Sequence, residues 1–114
     1  MLYNLSVLGL MGSADEVFVT KLIAIFTEST LKELAELEEA FQNKDLKKIG
    51  SIAHSMKSNI EIFSVDSIKE IIRILEDKEK LPTLSDEVLA GYVEEVNTVM
   101  QNVVAEMHKD YPAE

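Results

Sequence analysis

The chain contains no cysteine, so neither disulfides nor thiolate metal sites are open to it, and the expected compartment is the cytoplasm. Glycine occurs four times and proline twice, too few for a Gly-rich phosphate cradle, and neither a P-loop nor a nucleophile elbow is present. Only two histidines occur, His54 and His108, and they lie far apart in sequence. There is no H-x-x-x-H pair and no paired Glu-x-x-His set, and a zinc site needs several converging ligands, so no metal is expected. Positive charge is scarce as well: 11 Lys and Arg stand against 21 Asp and Glu, a net charge of −10. That balance argues against nucleic acid and against anionic membrane surfaces, and it favours solubility. No apolar run reaches the length of a membrane-spanning helix. The opening "MLYNLSVLGLMGS" lacks a basic residue ahead of its apolar run, which Asn4, Ser6 and Gly9 interrupt. It reads as a short helix or turn on the core rather than a signal peptide, and Met1 suggests a free-standing protein.

What is present is apolar residues, 46% of the chain, set at helical spacing. At 114 residues the chain suits one domain with one core, residues 1–114. No stretch alternates as a strand would. Ser13 and Glu16 form a capping box, and no Gly or Pro follows until past Asn43, so one long helix is expected there, with a bend near Thr30 allowed. Phe18, Leu22, Ile25 and Phe26 set its inward direction, continued by Leu34, Leu37, Ala40 and Phe41. Asp45 caps a second helix that runs to about Phe63. Ser64 or Asp66 begins a third, with Ile68, Ile71, Ile72 and Leu75 inward and Lys78 and Lys80 at its negative end. "KLPTLSDE" is the clearest loop, with Thr83 or Ser85 capping a last helix over about Leu84–Lys109. Its inward stripe is Val88, Leu89, Tyr92, Val96, Val99, Met100, Val103 and Met107. The predicted fold is all-α: an antiparallel up-down four-helix bundle with a short extra N-terminal helix.

The second helix carries a histidine on its wet side. Successive helical residues turn by about 100°, and Leu46, Ile49, Ile52, Ala53, Met56, Ile60 and Phe63 share one stripe about 100° wide. His54 points roughly 150° away from the middle of that stripe. A histidine on a helix surface commonly has no role. This one, however, has small flanks in Gly50, Ser51 and Ser58, and Lys57 at i+3 can fold its ammonium beside the ring, with Lys47 pointing the same way. An exposed imidazole with small neighbours and nearby positive charge meets the needs of a nucleophile toward a phosphoryl group. His108 is more simply a favourable residue in a last helical turn.

The residues "AHSMKS", Ala53 to Ser58, resemble the signature A-H-x-x-K-G-[SA] of histidine-containing phosphotransfer (HPt) domains, which has a further glycine ten residues after the histidine. "SADEVFVTKLIAIF" is similar to the family's first long helix, and "LKELAELEEAFQNKDLKKIGSIAHSMK" to its approach to the motif. "SIKEIIRILE", closing on Leu75–Glu76, is similar to the helix after it. Two positions depart: Ser58 stands for the glycine after the lysine and Ser64 for the later one. Asn59 also replaces a small residue.

The resemblance implies a phosphocarrier in a multistep phosphorelay. His54 would be the phosphoacceptor, loaded from a receiver-domain aspartyl phosphate and discharged to another receiver. Lys57 would help to hold the phosphoryl oxygens. Ser58 narrows the space beside the ring, and its hydroxyl could hydrogen-bond the ring or a phosphoryl oxygen. Ser64 could cap the next helix in place of the lost glycine. The chain would be a phosphotransfer intermediate and not an enzyme in its own right. The implied partners are a response-regulator receiver and a hybrid histidine kinase. No cofactor is implied, since magnesium would belong to the receiver, and the family default is a monomer. On the first helix Val19 and Ile23 are candidate docking contacts, with Leu10 and Met11 able to extend them. A degenerate module that binds a receiver or kinase without accepting phosphate is the alternative.

Overall fold

The computed structural model describes residues 16–111. Four α-helices occur among them: α1 (Glu16–Gln42), α2 (Leu46–Ile62), α3 (Lys69–Glu76) and α4 (Asp86–Asp110). Short 3₁₀ turns at Asp66–Ile68 and Leu81–Thr83 lead into α3 and follow it. The Ser13–Glu16 capping box, the short N-terminal helix and the contacts expected of Leu10 and Met11 fall outside the described residues.

Helix α1 is continuous over 27 residues. The polar patch in its middle does not break it, because Thr27 and Thr30 point inward and are buried. The Thr27 hydroxyl donates to the Ala24 carbonyl at 3.1 Å. With its proton so committed, Thr27 accepts from Nε2 of His108 at 3.3 Å, which ties the end of α4 to α1. The buried stripe of α1 is Val19, Ile23, Phe26, Leu34, Leu37 and Ala40. It is rotated from the predicted one: Phe18 and Ile25, expected inside, are exposed, whereas Val19 and Ile23, only candidate rim contacts on an arc expected to be mostly buried, are buried. Thr27 and Thr30 occupy inward positions that apolar spacing alone could not assign.

Both ends of the α1–α2 hairpin are fixed by backbone geometry. After α1, Lys44 takes a left-handed φ of 52°. The N–H of Lys44 then bonds Phe41 O at 3.0 Å and that of Asp45 bonds Ala40 O at 2.9 Å, the paired closure of a Schellman motif. Asp45 also opens α2, its side chain accepting from the Lys48 N–H at 3.1 Å. One aspartate therefore ends one helix and starts the next, which turns the chain back on itself. The same closure ends α2: Ser64 N–H bonds Glu61 O, Val65 N–H bonds Ile60 O, and Ser64 has φ 53°. The N-cap role expected for Ser64 is therefore corrected. It is the left-handed residue past a helix end, and the following turn begins at Val65 with no side-chain cap.

Pairwise contacts run α1 to α2, α2 to α3, and α1 to α4, with α3 meeting α4 to close the ring. Phe26 stacks at a tilt on Phe63, their ring centres 4.3 Å apart, which sets the α1–α2 register. Lys44 reaches Asp86 across the far end, an exposed pair that fixes direction more than it stabilises. Ile49, Met56, Ile60, Ile72, Leu75, Val96, Met100, Val103 and Met107 fill the centre. Each such side chain contributes about 1.5–3 kcal/mol by leaving water. Ser85 caps α4 by accepting from the Val88 N–H, and Val88, placed inside by its spacing, is exposed in that first turn. The architecture is the predicted antiparallel up-down bundle.

Candidate functional site

Ile49, Ile52, Ala53, Met56 and Ile60 hold one side of α2 against the bundle. His54 stands on the other, with 76% of its side chain exposed. Ser51, Ser55 and Ser58 around it are exposed too, so the ring has small neighbours and open solvent above it.

The ring is nonetheless held. Its Nδ1 lies 3.0 Å from Oε1 of Glu76, the last residue of α3. Ile71, Ile72 and Leu75 seat α3 on the core beside α2. A Cβ on Gly50 would meet the Leu75 carbonyl oxygen at 3.4 Å and the Leu81 side chain at 3.7 Å. Both are ordinary contact distances, so Gly50 is not what sets the spacing at which Glu76 meets the ring.

The hydrogen bond from His54 holds the Glu76 carboxyl below its ordinary range; partial burial opposes the shift and the Lys57 ammonium adds to it. Glu76 is thus a carboxylate, an acceptor only. A carboxylate at Nδ1 selects the tautomer with the proton on Nδ1, which leaves the lone pair of Nε2 facing away. Oε2 of Glu76 is buried with no hydrogen-bond partner. Glu76 is therefore bound to its two neighbours through Oε1 alone.

Lys57 is the second neighbour, its Nζ 3.6 Å from the same Oε1. The ammonium expected beside the ring is tied to the carboxylate that orients the ring. Ser58 is exposed, and the ring's hydrogen bond goes to Glu76, not to its hydroxyl. His108 lies on α4 in its last turn, bonded to Thr27 and apart from this cluster. No group of acidic residues and histidines suited to a metal ion occurs among the described residues.

A family model described as the Hpt domain matches residues 21–108. The chain belongs to the Hpt domain family. Neither the curated proteins nor the solved structures give a match. Hpt domains are helical bundles that carry phosphoryl groups on histidine in phosphorelays and work with receiver domains and kinases. No helix among the described residues is long and apolar enough to cross a membrane.

Glu76 is the site residue that helical spacing alone does not reveal. It lies 22 positions from His54 in sequence, and no periodicity within α2 points to it. The available signal was its place at the close of "SIKEIIRILE", a helix that resembles the one following the family motif.

Proposed function

We propose that this Hpt domain is a phosphocarrier whose acceptor atom is Nε2 of His54. The observation that carries this reading is the pairing of a 76% exposed ring with a carboxylate on its Nδ1. Exposure admits a second protein, and the pairing leaves a nucleophilic lone pair on the outer nitrogen.

A receiver docks over α2 and presents its aspartyl phosphate. Nε2 attacks phosphorus in line, the N–P bond forms, and the bond from phosphorus to the bridging oxygen of the aspartyl carboxyl breaks. The bonding pair leaves with the receiver's carboxylate. The ring becomes a phosphoimidazolium whose proton stays on Nδ1, where the charge of Glu76 offsets it. Lys57 reaches the phosphoryl oxygens by leaving Glu76. A later receiver reverses the step. The magnesium ion that such a receiver uses stays with the receiver, and this chain supplies no cofactor. The setting is the cytoplasm, with a hybrid kinase upstream, and the chain acts as a monomer.

The test is transfer from radiolabelled receiver domains of the same cell. Acid-labile, base-stable label should appear on the protein and be absent from His54→Ala. Binding of a receiver with no label on the unaltered chain would instead identify a docking module.

A further inference from the structure

On the α3 side of His54 a cleft of about 700 Å³ opens between the first half of α2 and the turn after α3. Small-molecule sites typically measure about 300–1,000 Å³, with an apolar lining and a few placed polar groups. The apolar part here is Leu46, Leu81 and Pro82, with the bare backbone of Gly50. Leu81 is buried and Leu46 half-buried, so this lining is anchored in the bundle. Lys47 and Lys78 border the cleft and are exposed. Neither is within ion-pair distance of a carboxylate among the described residues. In a chain with 21 acidic residues and 11 basic ones, two such lysines at one apolar cleft make a local cationic site. Among the described residues the one carboxylate lining it, Glu76, is already engaged by His54 and Lys57.

We propose that this cleft binds a small amphipathic carboxylate, its alkyl or aryl body on Leu46, Leu81 and Pro82 and its charge drawn to Lys47 and Lys78, and that the bound molecule shields His54. A free inorganic anion would leave the apolar lining wet, and a neutral apolar molecule would leave the lysines unused. The shielding rests on the phosphocarrier reading; the binding does not.

Decanoate is the probe, titrated into the isotopically labelled full chain and followed by amide shifts in nuclear magnetic resonance. Saturable shifts are expected at Gly50, Ser51, His54 and Leu81. Decanol, with the same tail and no charge, should bind about tenfold more weakly or worse. The Lys47→Glu/Lys78→Glu double variant, altered only at exposed positions, should keep the fold and lose about tenfold in decanoate affinity. No saturation below about 5 mM, equal response to decanol, or shifts centred on the exposed Phe18, Ile25 and Val88 overturns the site.

Phosphoramidate separates the two claims. Attack by Nε2 on its phosphorus forms the N–P bond and releases ammonia, with no receiver present. Decanoate should slow this labelling of the unaltered protein severalfold, and slow the double variant less, each compared with its own rate without decanoate. Unslowed labelling with intact decanoate binding overturns the shielding. A His54 that takes no label counts against the phosphocarrier reading, and the shifts alone then decide the cleft.

Discussion

Lys57 and Glu76 form an ion pair, Nζ to Oε1 at 3.6 Å, on the same oxygen that holds the His54 ring. The lysine is thus held by the carboxylate, and in the proposed transfer it leaves Glu76 for the phosphoryl oxygens. A phosphoryl group on Nε2 brings nearly two negative charges, enough to compete for it. Lys57→Ala should slow transfer to His54 by about tenfold, in line with the loss of one charge-assisted contact. Lys57 is 43% exposed in its side chain, so the melting temperature should fall by no more than about 3 °C. Transfer kinetics and a thermal scan on one preparation check both halves, and a large loss of stability would contradict the exposed placement.

In the proposed transfer Glu76 acts through the ring rather than on phosphorus, which would make it a positioning residue. Glu76→Gln keeps a carbonyl oxygen for the Nδ1 proton and loses the charge; Glu76→Ala loses both. Transfer rates should fall in the order parent, Gln, Ala, with the alanine variant at least about tenfold down. The readout that a merely structural role would not move is the His54 tautomer. Ring ¹⁵N shifts should report a proton on Nδ1 in the parent and in Glu76→Gln, and a mixture in Glu76→Ala.

The side of α2 that His54 occupies was legible in the sequence because the period of a helix fixes direction. The stripe from Ile49 to Phe63 is buried as its spacing requires, and the histidine is exposed opposite it. The same logic misplaced Phe18 and Ile25, because an apolar residue on the wet side of α1 looks like one on the dry side. Inward-facing Thr27 and Thr30 hid the true phase. Glu76 was hidden for a different reason. Its contact with His54 depends on how closely α3 lies on α2, which the buried Ile71, Ile72 and Leu75 set through tertiary packing. A residue's own helix carries no record of that distance.

Ser64 marks a place where the chain departs from the family glycine and the backbone still needs what glycine allows. Its φ of 53° is left-handed, where a Cβ crowds the neighbouring carbonyl. The Schellman bonds to Ile60 and Glu61 hold it there. Ser64→Gly should therefore raise stability by about 0.5–1 kcal/mol, the relief of left-handed strain less the entropy that glycine adds to the unfolded chain. A denaturant midpoint that moves up with an unchanged slope is the expected result. Transfer at His54 should be unaffected, since the turn lies beyond the far end of α2.

Acid should loosen the His54 site, and the sign follows from Glu76. Its folded-state carboxyl lies below the ordinary value of 4.5, chiefly through the hydrogen bond from His54. The unfolded chain takes up that proton at the ordinary value, so the folded state binds fewer protons between the two. The stability contributed by the pair is therefore complete above the ordinary value and is lost as pH falls through the lower, folded one. Glu33 works in the other direction, because burial raises its carboxyl, so its ionised form destabilises the fold at neutral pH and acid relieves that cost. Comparing the parent with Glu76→Gln isolates the first effect. The parent should be the more stable at neutral pH, and the gap should close as the carboxylate is protonated. A gap that stays constant from neutral pH down to the acid limit of folding would mean that the carboxylate's charge contributes nothing to holding the ring.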